Sequence, residues 1–246
     1  RITQDILIPP EAMGGAREGQ IVIAAIREQP SKRTRPIGEI VEVLGEHMAP
    51  GMEIDVAIRA HGLPFQWPEE VTEAADKLGA RVSPAAKKDR LDLRDMPLVT
   101  IDGEDSRDFD DAVWCEPLEK GGWRLWVAIA DVSHYVTPGD PLDKEAQHRA
   151  TSVYFPERVI PMLPEVLSNG LCSLNPNVDR LCLVCELQIT SRGRIKDYAF
   201  HEGLMRSHAR LTYTKVAGIV LDGDKDLHRE YAELVPHLQE LHALYK

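Results

Sequence analysis

The sequence lacks long hydrophobic segments. Its longest uninterrupted apolar stretches run for only a few residues, as at residues 125–130, whereas a helix that crosses a bilayer needs about 20. The first residues also lack the basic and then apolar layout of a signal peptide. We therefore predict neither a membrane span nor a membrane partner. The chain starts inside a strand-like pattern and stops inside a helical one, so we expect both ends to continue in a larger protein.

Cysteine is scarce. The chain has four cysteines among 246 residues, too few for a disulfide scaffold. Cys182 and Cys185 form a CxxC, a spacing found in zinc and redox sites. However, residues 181–189 are predicted to form a strand, in which residues three apart point to opposite faces. The pattern favours structural thiols and a reducing cytoplasm.

Basic side chains are in the minority. The sequence has 29 Lys and Arg against 40 Asp and Glu, a net charge of −11 at pH 7. A protein that binds nucleic acid only through a basic surface should have more basic than acidic side chains. A nucleic-acid enzyme remains compatible with this charge, because carboxylates can hold metal ions and basic contacts can come from other parts of a longer protein.

Residues 1–66 contain short β-branched runs separated by proline and glycine turn signals. Four strands are predicted, at residues 5–8, 20–27, 38–44 and 53–59. Short strands at this spacing are typical of a small barrel, of which the oligonucleotide-binding (OB) fold is one common form. We therefore predict a partial all-β OB barrel for residues 1–66.

A cluster of basic residues follows the second of these runs. It comprises Arg27, Lys32, Arg33 and Arg35. Such a loop is suited to contacting RNA phosphates, whereas most charge clusters are simply solvated hairpin tips. The sequence leaves both interpretations open.

The pattern changes after residue 66. Residues 67–95 are predicted to be a linker with a short helix, because Pro68 and two acids begin a helix that should end at Gly79, and residues 83–94 are polar. From residue 96 onwards, apolar strands alternate with helical patterns, which predicts an α/β (α+β) domain over residues 96–246. Strands are predicted at residues 97–101, 112–115, 123–131, 180–190 and 193–205, and the third of them is apolar enough to be central in a sheet. Helices are predicted at residues 141–150, 211–221 and 227–246, and the last of them should pack through its leucine stripe.

The most unusual segment is an acidic run. Residues 102–111 hold six acids and a single base, Arg107. Two carboxylates ~4 Å apart repel by about 4 kcal/mol at an effective dielectric near 20. A fold that packs several of them together therefore needs protons or a divalent cation, and oxygen ligands favour Mg²⁺, Mn²⁺ or Ca²⁺. The six acids are Asp102, Glu104, Asp105, Asp108, Asp110 and Asp111.

An EF-hand calcium loop and a solvated acidic loop both fit this run less well. An EF-hand needs Gly at its sixth position and Glu at its twelfth, but counting from Asp102 these positions hold Arg107 and Val113. A solvated loop is disfavoured because apolar strands lead into and out of the run, where acids are costly unless paired or metal-bound. The chemistry that best suits a metal site of this kind is phosphoryl transfer to water.

The sequence around this run resembles the catalytic domain of the ribonuclease II/ribonuclease R (RNB) family. The resemblance extends over residues 98–113, 123–136, 150–185 and 207–215. Residues 1–60 resemble the tail of the second cold-shock domain, an OB fold, that precedes this catalytic domain. The resemblance therefore covers essentially the whole chain.

The resemblance implies a processive, hydrolytic 3′→5′ exoribonuclease that degrades single-stranded RNA to nucleoside monophosphates. It implies a requirement for Mg²⁺, with Mn²⁺ as an alternative, and no obligatory protein partner. It places the metal and catalytic carboxylates at Asp102, Asp108, Asp110 and Asp111, with Asp110 at the position needed for cleavage but not for binding. Glu104 and Asp105 do not match catalytic positions.

Three further residues lie in stretches that resemble the family. Tyr154 matches an aromatic that packs against the terminal nucleotides, and base–aromatic stacking contributes about 1–3 kcal/mol with any base. Without the resemblance, a half-buried core tyrosine would be the simpler interpretation. Asp131 and His134 could reach the site or could form structural hydrogen bonds, and neither is predicted to be catalytic.

The resemblance also implies parts that this sequence does not contain. The family's site uses an arginine from the second half of the catalytic domain, and an S1 domain usually follows. An alternative therefore stays open: the chain is a catalytically incomplete, RNA-binding or structural fragment of such an enzyme.

Overall fold

The computed structural model describes residues 4–31, 34–47 and 49–246. These residues divide into two compact units. The first unit comprises residues 1–66 with Phe155–Arg158, and the second comprises Trp67–Tyr154 with Val159–Lys246. Among the described residues, every helix is too short or too polar to cross a membrane.

The first unit is built around an antiparallel pair of strands, β1 (Gln20–Glu28) and β2 (Ile37–Glu46). The strand predicted at residues 5–8 is reduced to a single parallel bridge between Leu7 and Ile37. Gly38 lets this segment approach, because a Cβ there would lie 2.9 Å from Ile6 Cγ2. The unit is thus rich in β structure, as predicted.

The strand predicted at residues 53–59 is wrong. These residues form a helix, α1 (Met52–Ala60), with Glu53 and Asp55 in its first turn and Arg59 in its last. This distribution of charge complements the helix dipole. Arg59 also forms an ion pair with Glu42 of β2, which ties the helix to the sheet.

The second unit is built on a seven-stranded sheet. The strands, in chain order, are β3 (Leu91–Leu93), β4 (Val99–Asp102), β5 (Asp111–Pro117), β6 (Trp123–Ala130), β9 (Asp179–Ile189), β10 (Ile195–Arg206) and β11 (Ala209–Thr212), while β7 (Val153–Tyr154) and β8 (Val159–Ile160) form a separate pair. Their order across the sheet is β11-β4-β5-β6-β9-β10-β3. The strand predicted to be central, β6, is the fourth of the seven, and the hairpin of β9 and β10 also forms as predicted.

The helices of the second unit follow the prediction in part. The helix predicted at residues 141–150 is confirmed, but the one at 211–221 begins as the strand β11. The one predicted at residues 227–246 is interrupted by a turn at residues 231–234. The helices are α2 (Glu69–Asp76), α3 (Pro141–Arg149), α4 (Tyr213–Ala217), α5 (Lys225–Glu230) and α6 (Val235–Tyr245), with wide helical turns at Val166–Leu171 and Gly218–Asp222.

The sheet packs against two apolar clusters. One cluster joins the sheet to α2, α3 and the turn at Val166–Leu171, and the predicted linker contributes Val71, Val82 and Leu93 to it. The other joins β4 and β11 to the helices after residue 212. Most of the leucine stripe predicted in that region belongs to this second cluster: Leu227, Tyr231, Leu234, Leu238 and Leu241.

The two cysteines of the CxxC lie on opposite faces of β9, as predicted. Cys182 is fully buried, whereas Cys185 is partly exposed, and all four cysteines are free thiols. Burial raises the pKa of the Cys182 thiol to about 12. This thiol therefore stays protonated at neutral pH and packs as an apolar side chain.

Candidate active site

The acidic run lies where two neighbouring strands meet. Asp102 is the last residue of β4, and Asp111 is the first residue of β5. Because these strands are antiparallel, the connection between them stays at one end of the sheet. The structure therefore brings Asp102, Asp108, Asp110 and Asp111 to the same end of the sheet.

Two of these aspartates accept hydrogen bonds from neighbouring groups. The Ser106 hydroxyl donates to Asp102 Oδ2 (2.6 Å), and the backbone N–H of Gly103 donates to Asp102 Oδ1 (2.7 Å). The Tyr154 hydroxyl donates to both oxygens of Asp108, at 3.0 and 2.9 Å. These donors orient the two carboxylates.

The other two aspartates have raised pKa values. Partial burial is the main cause of the raised pKa of Asp110, followed by the negative charges of Asp108, Asp111 and Asp102. Partial burial and the charge of Asp102 raise the pKa of Asp111. Solvent still reaches both side chains. Their negative charges are therefore disfavoured, and a bound cation would relieve the repulsion.

The backbone around Asp110 is fixed by buried contacts. Phe109 is almost fully buried, and its N–H donates to Ser173 Oγ (3.1 Å) while its carbonyl accepts from Leu174 N (2.7 Å). The N–H of Ala130 donates to the Asp110 carbonyl (2.8 Å). The segment that carries Asp110 is thus held between β6 and the turn that precedes β9.

The donor chemistry of the acids fits a magnesium ion. All four predicted ligands offer carboxylate oxygens, the ligands that Mg²⁺ prefers. Within the described part of the chain, no three His, Cys, Asp or Glu side chains form a ready-made metal cage. The residues fit the ion, although they do not enclose it.

Tyr154 lies beside the acids with its ring accessible. The residue is 57% exposed and sits on β7, which is paired with β8. Burial of the hydroxyl and its hydrogen bond to Asp108 raise the Tyr154 pKa to about 12, so the phenol stays protonated. A half-buried core tyrosine is thereby excluded, and no pattern in the sequence indicated the hydrogen bond to Asp108.

Asp131 has a structural partner that the sequence did not reveal. Arg90 Nη2 donates to Asp131 Oδ2 (2.7 Å), and the two side chains are only 7% and 4% exposed. Burial alone would raise the Asp131 pKa, but hydrogen bonds from Ser133 and Arg90 outweigh it and lower the pKa. His134 contributes its backbone N–H to Asp131, so both residues take part in a structural hydrogen bond.

The predicted basic cluster is described only in part. Lys32 and Arg33 lie outside the described residues. Arg27 is on β1, where it forms an ion pair with Glu39. Arg35 Nη1 lies 3.9 Å from Asp5 Oδ2. Both arginines remain largely exposed, so these acids offset part of the positive charge without burying it.

A sizeable cavity lies away from the acidic run. It has a volume of about 610 Å³ and is lined by Glu116, Arg124 and Gln188 among others. These residues lie at the opposite end of β5 and β6 from Asp111. The carboxylate chemistry, rather than cavity size, therefore marks the candidate site.

Comparison with known proteins identifies the family. The family described as "RNB domain" matches residues 90–246, and the one described as "Cold shock domain" matches residues 1–68. The chain belongs to the RNB family. The ribonuclease R of Escherichia coli (strain K12) is 61% identical over all 246 residues, which span 30% of that protein. The RNB domain therefore begins just before β3 and contains the whole acidic run.

Solved structures share the fold. A chain of Mycoplasma genitalium RNase R in complex with double-stranded RNA matches with a TM-score of 0.82 and 31% identity, over 89% of this chain and 39% of that one. Yeast Ssd1, described as a pseudonuclease, matches with a TM-score of 0.62 and 19% identity, over 88% of this chain and 28% of that one. At this identity, the second match shows a shared fold alone.

Proposed function

We propose that the chain is part of a hydrolytic 3′→5′ exoribonuclease that degrades single-stranded RNA processively to nucleoside 5′-monophosphates. One observation carries the proposal: an RNB domain brings four aspartates together where β4 meets β5. The RNA bound to the Mycoplasma relative supports RNA as the substrate class. The free cysteines support a reducing compartment such as the cytoplasm.

In the proposed mechanism, the four aspartates together form the metal site. Asp110 and Asp111, whose negative charges are disfavoured, would hold Mg²⁺ (or Mn²⁺) together with Asp102 and Asp108. Ser106 and Tyr154 orient those last two carboxylates. The bound ion supplies activation of water and neutralisation of charge on the leaving oxygen. Glu104 and Asp105 are exposed and take no part.

RNA contacts in the proposal come from two places. Tyr154 stacks on the terminal nucleotides next to Asp108. Arg27, Lys32, Arg33 and Arg35 guide the incoming strand by phosphate contacts, which depend on charge and not on base sequence.

The proposal is tested directly by incubating the 246-residue chain with 5′-labelled single-stranded RNA and Mg²⁺. Loss of the full-length strand without a ladder of intermediate lengths, together with release of nucleoside monophosphates, is the expected result. Cleavage inside the strand, or equal cleavage in the presence of EDTA, would contradict it.

A second function is favoured by one observation: the chain spans only 30% of the length of the E. coli relative. The chain by itself would then be a catalytically incomplete, RNA-binding or structural fragment. RNA binding without any shortening of the RNA in the same incubation supports this second function. Restored cleavage in a longer protein that carries the chain would confirm that only the missing part was limiting.

Tyr154 offers a test of the proposed stacking. We expect Tyr154→Ala to weaken RNA binding by roughly 5- to 150-fold, which corresponds to the loss of about 1–3 kcal/mol of stacking. Tyr154→Phe should keep most of this affinity because it keeps the ring. Fluorescence anisotropy with labelled RNA measures both. Equal losses for the two variants would show that the hydroxyl, and not stacking, is responsible.

The raised pKa values predict how metal binding depends on pH. Protons compete with the ion for Asp110 and Asp111, whose pKa values are raised. As the pH is lowered, Mg²⁺ affinity should therefore begin to fall at a higher pH than it would for a site of aspartates with the ordinary pKa of about 3.9. Calorimetric titrations at successive pH values measure this. A pH-independent affinity down to that ordinary value would contradict the assignment.

A further inference from the structure

Arg210 contacts the acidic loop from a neighbouring strand. It lies on β11, which runs parallel to β4, and Arg210 is paired there with Thr100. The residues on either side of it, Ala209 and Leu211, are buried in the second apolar cluster. The backbone of Arg210 is thus firmly placed, while the residue itself is exposed at the surface.

The guanidinium of Arg210 makes two contacts with the loop. Its Nη2 donates to the Ser106 carbonyl, and its Cζ lies 4.1 Å from the centre of the Phe109 ring. The face of an aromatic ring attracts a cation held within about 6 Å of its centre. One side chain therefore holds the loop at both a backbone and a side-chain position.

Both contacted residues lead directly to the carboxylates. Ser106 Oγ donates to Asp102 Oδ2 (2.6 Å), and Phe109 precedes Asp110 in the sequence. The loop from Asp102 to Asp110 carries several negative charges that repel one another. The nearby guanidinium of Arg210 offsets this repulsion.

We propose that Arg210 is a positioning residue for the acidic loop: it holds Ser106 and Phe109 so that Asp102 and Asp110 can bind the same cation. This inference rests on the proposed function of the aspartates. Arg210 does not touch the reacting phosphate in this proposal, and it acts only through the loop.

Hydrogen exchange of the backbone amides tests the proposal without any assay of activity. We expect exchange at residues 103–108 to become about tenfold faster or more in Arg210→Met, because one hydrogen bond and one cation–π contact are lost. Arg210→Lys should lie between this variant and the wild type. Arg192→Met, which removes an exposed arginine from the turn between β9 and β10, is the matched control and should leave exchange in the loop unchanged.

Binding of Mn²⁺ to the same variants supplies the second measurement. Arg210→Met and Ser106→Ala should each weaken Mn²⁺ binding several-fold, and the double variant should lose less than the two effects combined, because both act on Asp102 through Ser106. Unchanged hydrogen exchange at residues 103–108 in Arg210→Met overturns the proposal. If the same variant also loses RNA affinity, Arg210 is a phosphate contact instead. If Asp110→Asn binds Mn²⁺ as the wild type does, the proposed function fails instead.

Discussion

Asp110→Asn, introduced into a longer protein that carries this chain, should reduce RNA hydrolysis by roughly 10²–10³-fold or more, the usual effect of removing a group that stabilises transition-state charge. Asparagine keeps the shape of the side chain but loses the charge that a cation needs. The backbone around residue 110 is fixed by Phe109 and Ala130, so the loop should keep its conformation. RNA affinity, measured in the same variant, should change little.

The matched control for Asp110→Asn is Glu104→Gln. Glu104 belongs to the same acidic run and is exposed, so its substitution also removes one negative charge near the site. We expect this control to hydrolyse RNA at nearly the wild-type rate. Equal rates for Asp110→Asn and the wild type would show that the site is assigned to the wrong residues.

The raised pKa of Asp110 adds a second signature to this variant. An acid whose pKa is higher in the folded than in the unfolded state destabilises the fold while it is ionised. The fold regains this stability as the pH falls through the raised pKa. At neutral pH its negative charge therefore destabilises the metal-free protein. Asp110→Asn should raise the Tm of the metal-free protein slightly at pH 7 and flatten its dependence on acidic pH.

Arg90→Met should lower the free energy of unfolding by about 3–5 kcal/mol, the usual cost of leaving one member of a buried ion pair without its partner. Asp131 would stay buried with its charge uncompensated by Arg90. Arg90 also donates to the carbonyls of Ala86 and Gly203, so these contacts would be lost as well. Urea denaturation followed by circular dichroism measures the change.

Arg94→Met is the control for Arg90→Met. Arg94 lies in the same segment and pairs with Asp92, but these side chains are 38% and 56% exposed. Exposed pairs contribute only about 0–1 kcal/mol, so the control should change stability little. An equal loss of stability in the two variants would contradict the special role of the buried pair.

The Arg90–Asp131 pair should also contribute to the acid sensitivity of the fold. Because the pKa of Asp131 is lowered in the folded state, the pair contributes its stability above the unfolded pKa of about 3.9. This contribution is lost as the pH falls through the lowered pKa. The difference in stability between the wild type and Asp131→Asn should therefore shrink at strongly acidic pH.

The sequence predicted the sheet better than the connections around it. The continuous apolar run of β6 and the turn between β9 and β10 are local signals, and both elements formed as predicted. The strand prediction at residues 53–59 failed because Ile54, Val56 and Ile58 alternate as in a strand. The acids at the start of α1 and the arginine at its end were the signal for a helix.

The position of the candidate site was predictable, but its supporting contacts were not. The acidic run is continuous in sequence, so its spacing and its flanking strands indicate a metal site. The contacts of Tyr154 with Asp108, Arg90 with Asp131 and Arg210 with Ser106 join residues 46, 41 and 104 positions apart. Such pairs depend on which strands become neighbours, and no local pattern specifies that.

We propose that the aspartates at the junction of β4 and β5 hold a divalent cation. Anomalous diffraction from crystals of the protein grown with Mn²⁺ tests this most directly. We expect an anomalous peak within coordination distance of carboxylate oxygens from at least two of Asp102, Asp108, Asp110 and Asp111. Mn²⁺ bound only at Glu104 or Asp105, or no peak at this end of the sheet, would contradict the claim.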